Sequence, residues 1–340
     1  MSFDVLTDTS GNLPTARALA AGLKMIPFTY TIDGQDYTCT DTAAFDGDAF
    51  YERIRQGVRV TTTQISPQSY ADFFTPTLEE GKDVIFVAMS SGISGSCNSA
   101  HIAADMLKAS FPERRVEIID TRGAALGEGI IALEAAKLRD RGCDTANAVK
   151  ILEDMVERMF NVFTVDDLMH LRRGGRLSNL SAIVGTVLQI KPLLKGDREG
   201  KIVAFAKLRG RKKSIQALGQ LYDKLAVRPE EQIVGIAQAG CREDAEMLAK
   251  LLRANRPPRE ILNVEYEPVT GSHVGPGALA LFFMAEPGVR GYGDEGVTGG
   301  VKEALAVGEN ALRAAGESVM KAGGSAAASL SEKLKERGRK

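Results

Sequence analysis

Residues 84–107, VIFVAMSSGISGSCNSAHIAADML, constrain the fold of this chain more than any other stretch. The run Val84-Ile85-Phe86-Val87-Ala88 is apolar at every position, as a strand buried on both faces of a parallel sheet requires. From about Cys97 onward, Ala100, Ile102, Ala103, Met106 and Leu107 recur at helical spacing. Between the two lies Ser90-Ser91-Gly92-Ile93-Ser94-Gly95-Ser96, rich in hydroxyls and bulky only at Ile93. A helix N-terminus reached through such a loop leaves N–H groups unpaired and a partial positive charge, which suits a carboxylate or a phosphate. An ordinary turn with hydroxyl caps explains the same residues, and both readings stand at this point. The loop is no nucleophile elbow, because Ser94 has Gly92 before it but Ser96 where the second glycine belongs. Nor does it end in the Gly-Lys-Ser/Thr of a phosphate loop.

Around this unit the chain alternates strands and helices. Residues 3–6 read as a first strand, followed by polar Thr7 to Asn12 and a helix from Pro14 through Leu23. Residues 25–32 read as one strand, Asp33-Gly34 as a hairpin turn, and residues 48–56 as a helix closed by Gly57. Ser66-Pro67 starts a helix whose buried stripe is Tyr70, Phe73, Phe74 and Leu78. A strand over 116–119 leads into a Gly/Ala-rich helix containing Gly123, Gly127 and Gly129. The spacing there is not GxGxxG, so these glycines serve close packing rather than a nicotinamide cofactor. An amphipathic helix over 144–159 and a strand over 162–165 complete a doubly wound α/β unit, residues 1–162.

Residues 163–287 read as an α+β domain with a mixed sheet. A short helix over 166–171 runs into Arg172-Arg173-Gly174-Gly175-Arg176, where the glycines end it in a left-handed conformation. Residues 181–189 are apolar, and 191–194 pairs with 201–207 around the turn 196–200. A second basic cluster, residues 209–213, opens a helix to Leu225. Either cluster caps a helix or forms a surface for an acidic partner. Strands over 233–237 and 261–266 and a helix over 243–253 follow. His101 and His170 sit in helical surroundings. His273 sits in the Gly-rich loop 271–277, and Gly275-Pro276 marks a helix start directly behind it. Residues 288–340 are Gly/Ala-rich and read as a loosely helical or disordered extension, with an amphipathic helix on a membrane surface as the weaker alternative.

Composition excludes several classes. The 340 residues include 44% hydrophobic and 26% charged residues, enough for two cores, and a net charge of −1 argues against nucleic acid. Cys39, Cys97, Cys143 and Cys241 form no CxxC pair, which speaks against zinc and disulfides and fits a reducing cytoplasm. No signal peptide is evident and no apolar run approaches the ~20 residues of a membrane span.

Taken in order, LTDTSGNLP, TTTQISP, SSGISGS, IIDTRGAALGEG, LRRGGRLS, IKPLL, KLRGRKKS and HVGPGALALFF resemble the DegV family across about residues 3–284. The resemblance implies a two-domain α/β protein with a fatty acid in the cleft between its domains. It implies a carrier subunit that buries the acyl chain and presents the carboxylate to a separate ATP-dependent fatty acid kinase subunit, giving acyl-phosphate for phospholipid synthesis. By that implication Thr62 and Thr63, Ser94 (or Ser91) with Gly95, and His273 with Gly275 hold the carboxylate. Arg173, Arg176 and Arg209 face the kinase. No cofactor or metal is implied beyond the bound long-chain fatty acid. Two departures stand out: Thr63-Gln64-Ile65 replaces the usual Ser-Gln-Pro, and Ser96-Cys97 the usual Thr-Tyr, which bears on tunnel volume.

A carboxylate withdrawn from water needs several donors, while affinity comes mainly from the tail at ~0.8 kcal/mol per buried methylene. Two other functions compete. One is a hydrolase or acyl transferase with Ser94 as nucleophile, His273 as base and Asp8 or Asp120 as the orienting acid. The other is a carrier for a different anionic lipid such as a phospholipid.

Overall fold

A computed structural model describes residues 2–177 and 190–294. The first half is built on strands β1 (Phe3–Asp8), β2 (Lys24–Ile26), β3 (Thr29–Ile32), β4 (Gln35–Thr38), β5 (Val60–Thr63), β6 (Asp83–Ala88) and β7 (Val116–Asp120). Its helices are α1 (Thr15–Ala20), α2 (Gly47–Arg55), α3 (Pro67–Glu79), α4 (Ser96–Leu107), α5 (Leu126–Asp140) and α6 (Thr145–Arg158). A four-stranded parallel sheet has the order β2-β1-β6-β7. Every residue of β6 is buried, because alternate side chains enter different cores. Val84, Phe86 and Ala88 meet Tyr70, Phe74 and Cys97 of α3 and α4, whereas Ile85 and Val87 meet α5 and α6.

The stretch 25–32 is not one strand. Pro27, which has no N–H to give a ladder, breaks it. β2 stays in the parallel sheet, and β3 crosses to a separate antiparallel sheet of order β4-β3-β5. Asp33 (φ 53°) and Gly34 (φ 77°) make the tight turn between β3 and β4. α1 stops at Ala20 rather than Leu23, where the chain turns at Gly22. In α4 the buried stripe is Cys97, Ala100, Ala103 and Ala104; Ile102 and Met106, expected inside, are exposed.

The second half contains β8 (Met159–Thr164), α7 (Met169–Arg173), β9 (Ile190–Gly196), β10 (Ile202–Arg209), α8 (Arg211–Leu225), β11 (Ile233–Gln238), α9 (Arg242–Asn255), β12 (Glu260–Glu265), α10 (Pro268–Val274) and β13 (Leu279–Met284). These strands form a mixed sheet of order β10-β9-β8-β13-β11-β12, in which β11 and β12 run parallel and the other neighbours antiparallel. α8 and α9 cover one face. α5 packs on the other face, so it lies between the two sheets and joins them through one core. Glycine makes that approach possible: a Cβ on Gly129 would stand 2.3 Å from the Gly11 carbonyl oxygen, and one on Gly235 2.7 Å from Leu126 Cβ.

Residues 181–189 and 295–340 lie outside the described residues, and with them the expectations for the apolar 181–189 segment and most of the extension. The extension's first residues are not loose. Arg290 is fully buried and donates to the carbonyls of Val156, Arg122 and Thr121, which fastens the chain to α6 and the loop after β7. Among the described residues no helix is long and apolar enough to cross a membrane.

Candidate functional site

Between β5, α10, the loop after β6 and the α5-facing side of the mixed sheet lies a cavity of about 130 Å³. That is on the order of ten times the space one water needs. Phe28, Met89, Ile93, Phe163, Leu171 and Phe282 give it a mainly apolar wall. Thr62, Thr63, Gln64, Ser94, Arg122, Asn161, Arg176, Thr270 and His273 supply its polar part, with Gly95 beside Ser94.

Thr62 sits on β5 opposite Tyr30 of β3, and its Oγ1 lies 2.8 Å from His273 Nε2. His273 occupies the last turn of α10. Burial, with the nearby Arg176 charge adding to it, pushes its pKa down to about 4. The imidazole is therefore neutral at pH 7, one nitrogen a donor and the other an acceptor. The helix start expected at Gly275-Pro276 is absent. The helix starts earlier instead, where Glu267 accepts from the Val269 and Thr270 N–H groups and Pro268 takes the first helical position. Gly275 (φ 77°) terminates α10 and packs on His170, outside the cavity wall, so it offers no N–H to a ligand there.

The serine loop divides its hydroxyls between structure and site. Ser90 donates to the Gly200 carbonyl, Ser91 to Asp120 Oδ2 at 2.6 Å, and Ser96 Oγ accepts from Ile65 N–H. Ser91, the alternative to Ser94, is so engaged and does not line the cavity. Ser94 and Gly95 line the wall at the N-terminus of α4, with Ser94 Oγ accepting from Ser96 N–H. Gln64, which no sequence pattern singled out, packs on Gly95: a Cβ there would lie 2.3 Å from Gln64 Oε1. Cys97 lies in the core with Tyr70 and Phe86, in the cluster that also holds the cavity-lining Phe28, Met89 and Ile93.

Of the arginines expected at the kinase-facing side, Arg176 is half-buried and lines the cavity, donating to the carbonyls of Ile93 and Gly174. Arg173 is exposed on α7 beside His170, and Arg209 is exposed at the end of β10. Gly175 (φ 68°) has the expected left-handed conformation, while Gly174 (φ −74°) does not. Gly174 matters for another reason, since a Cβ there would stand 2.6 Å from His273 Nδ1.

Neither acid proposed to orient a catalytic histidine approaches His273. Asp120 accepts from Ser91 and from the Arg122 N–H. Asp8 accepts from Ser10, which also donates to Glu128 Oε2 at 2.9 Å. Burial raises Asp8 to about 6 and Glu128 well above its ordinary range. Among the described residues no group of three or more His, Cys, Asp or Glu side chains could hold a metal.

The family model described as "Uncharacterised protein, DegV family" matches residues 2–286. The chain belongs to the DegV family. A DegV domain-containing protein of Clostridium perfringens is 34% identical over 284 residues, covering 84% of this chain and 98% of its own. Protein DegV of Bacillus subtilis is 32% identical over 283 residues, covering 83% and 98%. Among solved DegV structures, a Thermus thermophilus protein described by its fatty acid binding superposes with a TM-score of 0.75 at 27% identity, over 84% of this chain and all of that one. Bacillus subtilis DegV, a fatty acid binding protein, gives 0.73 at 31% identity over 84% and 100%. The two-domain DegV architecture is thus the fold of this chain.

Proposed function

We propose that this DegV chain binds a long-chain fatty acid in the cavity between its two sheets and presents the carboxylate to a separate ATP-dependent kinase subunit, which converts it to acyl-phosphate. The observation that carries the reading is the Thr62–His273 pair at the wall of a mainly apolar cavity. A carboxylate there meets the Thr62 and Ser94 hydroxyls, His273, the N-terminus of α4 and the charge of Arg176. Fatty acid binding by DegV proteins at 27% and 31% identity supports the choice of ligand. Thr63 and Gly95 shape the wall beside these donors.

The reading makes the chain a carrier without chemistry of its own. Ser94 Oγ accepts from the Ser96 N–H and His273 Nε2 meets Thr62, and no hydrogen bond joins Ser94 to His273 among the described residues, which supports the carrier over a hydrolase. Arg173 and Arg209, exposed and outside the cavity, are the residues that meet the kinase. Reconstitution with a fatty acid kinase subunit, ATP and a long-chain acid tests this. Acyl-phosphate should form only when this chain is present and should fall sharply with His273→Ala. Equal turnover with and without the chain would refute the carrier role.

A further inference from the structure

Arg290 is a fully buried cation whose acceptors are backbone carbonyls alone. Its Nε donates to Val156 O at 2.8 Å, Nη1 to Arg122 O at 2.8 Å and Nη2 to Thr121 O at 2.9 Å. Glu157, Asp120 and Asp197 offset its charge without bonding to it. A buried charge without a bonded counter-ion is costly, so its position calls for a reason. The backbone that carries it is fixed to the second half. Val289 is buried in the core under α8 and α9, and the Tyr292 ring stands edge-on to Phe160 and Phe205. Lys195 Nζ donates to the Arg290 carbonyl and to Asp294 Oδ1 at 2.7 Å. Arg290 thus reaches from the second half to the end of β7 in the first.

What it grips there is a wall of the cavity. Arg122, Gly123, Ala124 and Ala125 line that cavity in succession. Two of the four are strained, because Arg122 (φ 48°) and Ala125 (φ 52°) adopt a positive φ without being glycine. Strain of this kind persists only where the surroundings enforce it. On one side the Arg122 N–H donates to Asp120 Oδ1 at 2.9 Å, and the Gly123 carbonyl accepts from Ser90 N–H at 2.8 Å. On the other side Arg290 is the donor that the Thr121 and Arg122 carbonyls meet among the described residues. Thr62, Ser94 and His273 make no hydrogen bond to this stretch, so it bounds space rather than a head group.

We propose that Arg290 is a positioning residue that holds the strained wall 122–125 in place and so sets the longest acyl chain the cavity admits. The inference rests on the fatty-acid reading above and adds what limits the ligand. Each methylene that fits adds buried apolar surface, whereas one that meets a fixed wall must displace it. With Arg290 in place the wall cannot yield. Without its donors the strained residues relax and the wall gives way to a longer chain.

The test is equilibrium binding of straight-chain saturated acids, from decanoic to docosanoic acid, to the delipidated full chain. Affinity of the unaltered protein should rise about fourfold per added carbon up to one length and then fall. Arg290→Met, which keeps the stem and removes the donors, should move that maximum to chains about two carbons longer. Acids well short of the maximum should bind the variant as before, which shows it folded. Should the methionine variant lose the short acids too, Arg290→Lys, which keeps the charge and fewer donors, is measured in the same way. A maximum that stays at the same length, with or without an equal loss for every acid, overturns the proposal and leaves Arg290 merely structural. Loss of all binding by both variants, or an unaltered protein with no maximum in this range, overturns it as well. Failure of the unaltered protein to bind any acid would overturn the fatty-acid reading itself.

Discussion

Thr62 Oγ1 and His273 Nε2 stand 2.8 Å apart although 211 residues separate them in the chain. Thr62 comes from the small antiparallel sheet of the first half, and His273 from the helix α10 that precedes β13 of the second. Their hydrogen bond therefore ties the two halves together at the cavity wall. Replacing Thr62 by Val keeps the shape and removes the hydroxyl. Fatty acid affinity, measured by displacement of a fluorescent acyl probe, should fall about ten- to hundredfold, as expected for one bond to a charged group. An unchanged affinity would remove Thr62 from the carboxylate's donors.

Gly174 acts on the same histidine from outside. Its φ of −74° suits any residue, so alanine strains no backbone there, but the added methyl would press on His273 Nδ1. Gly174→Ala should lower fatty acid affinity several-fold with little change in Tm. Combined with His273→Ala it should cost little more than His273→Ala alone, the signature of two residues acting through one contact. Additive losses would separate Gly174 from the histidine.

His273 should also report the ligand through its titration. In the empty protein its pKa lies near 4, so it stays neutral through the physiological range. A bound carboxylate favours the imidazolium and must raise that value. The complex then holds more protons than the empty protein between about 4 and the raised value, so affinity for the ionised acid rises as pH falls through that window. Imidazole NMR signals followed with and without fatty acid measure the shift directly. Identical titrations would place the head group elsewhere.

Much of the fold could be read from local pattern. The apolar run of β6, the Asp33-Gly34 turn, the Ser66-Pro67 start of α3 and the β9–β10 hairpin all follow from signals a few residues long. Failures came where two local signals compete. Pro27 inside an apolar stretch divides β2 from β3, and Gly275-Pro276 looks like a helix start while ending α10. The better signal, Glu267-Pro268, stood eight residues upstream of Gly275 and received no weight. Thr62, Ser94 and His273 were singled out from their loops and meet at one cavity. Gln64 was not, because a single polar residue in a loop acquires meaning only from the neighbours the tertiary fold gives it, here Ser99 and Gly95.

Charge reversal separates lipid binding from partner binding. Arg173→Glu and Arg209→Glu lie on exposed surface outside the cavity, so fatty acid affinity should stay within about twofold. Acyl-phosphate production with a kinase subunit should fall at least tenfold, and more steeply at low salt, where exposed charges act over longer range. Parallel loss of both properties would make these arginines structural.

The central claim is that a fatty acid occupies the cavity with its carboxylate at Thr62 and His273. Mass spectrometry of solvent extracts, from the protein as purified from a bacterial host and again after incubation with long-chain acids, tests it most directly. The account predicts close to one acyl chain per protein molecule, strongly reduced in the Thr62→Val, His273→Ala double variant. An extract without acyl species, and no uptake of added acid by the unaltered protein, would contradict it.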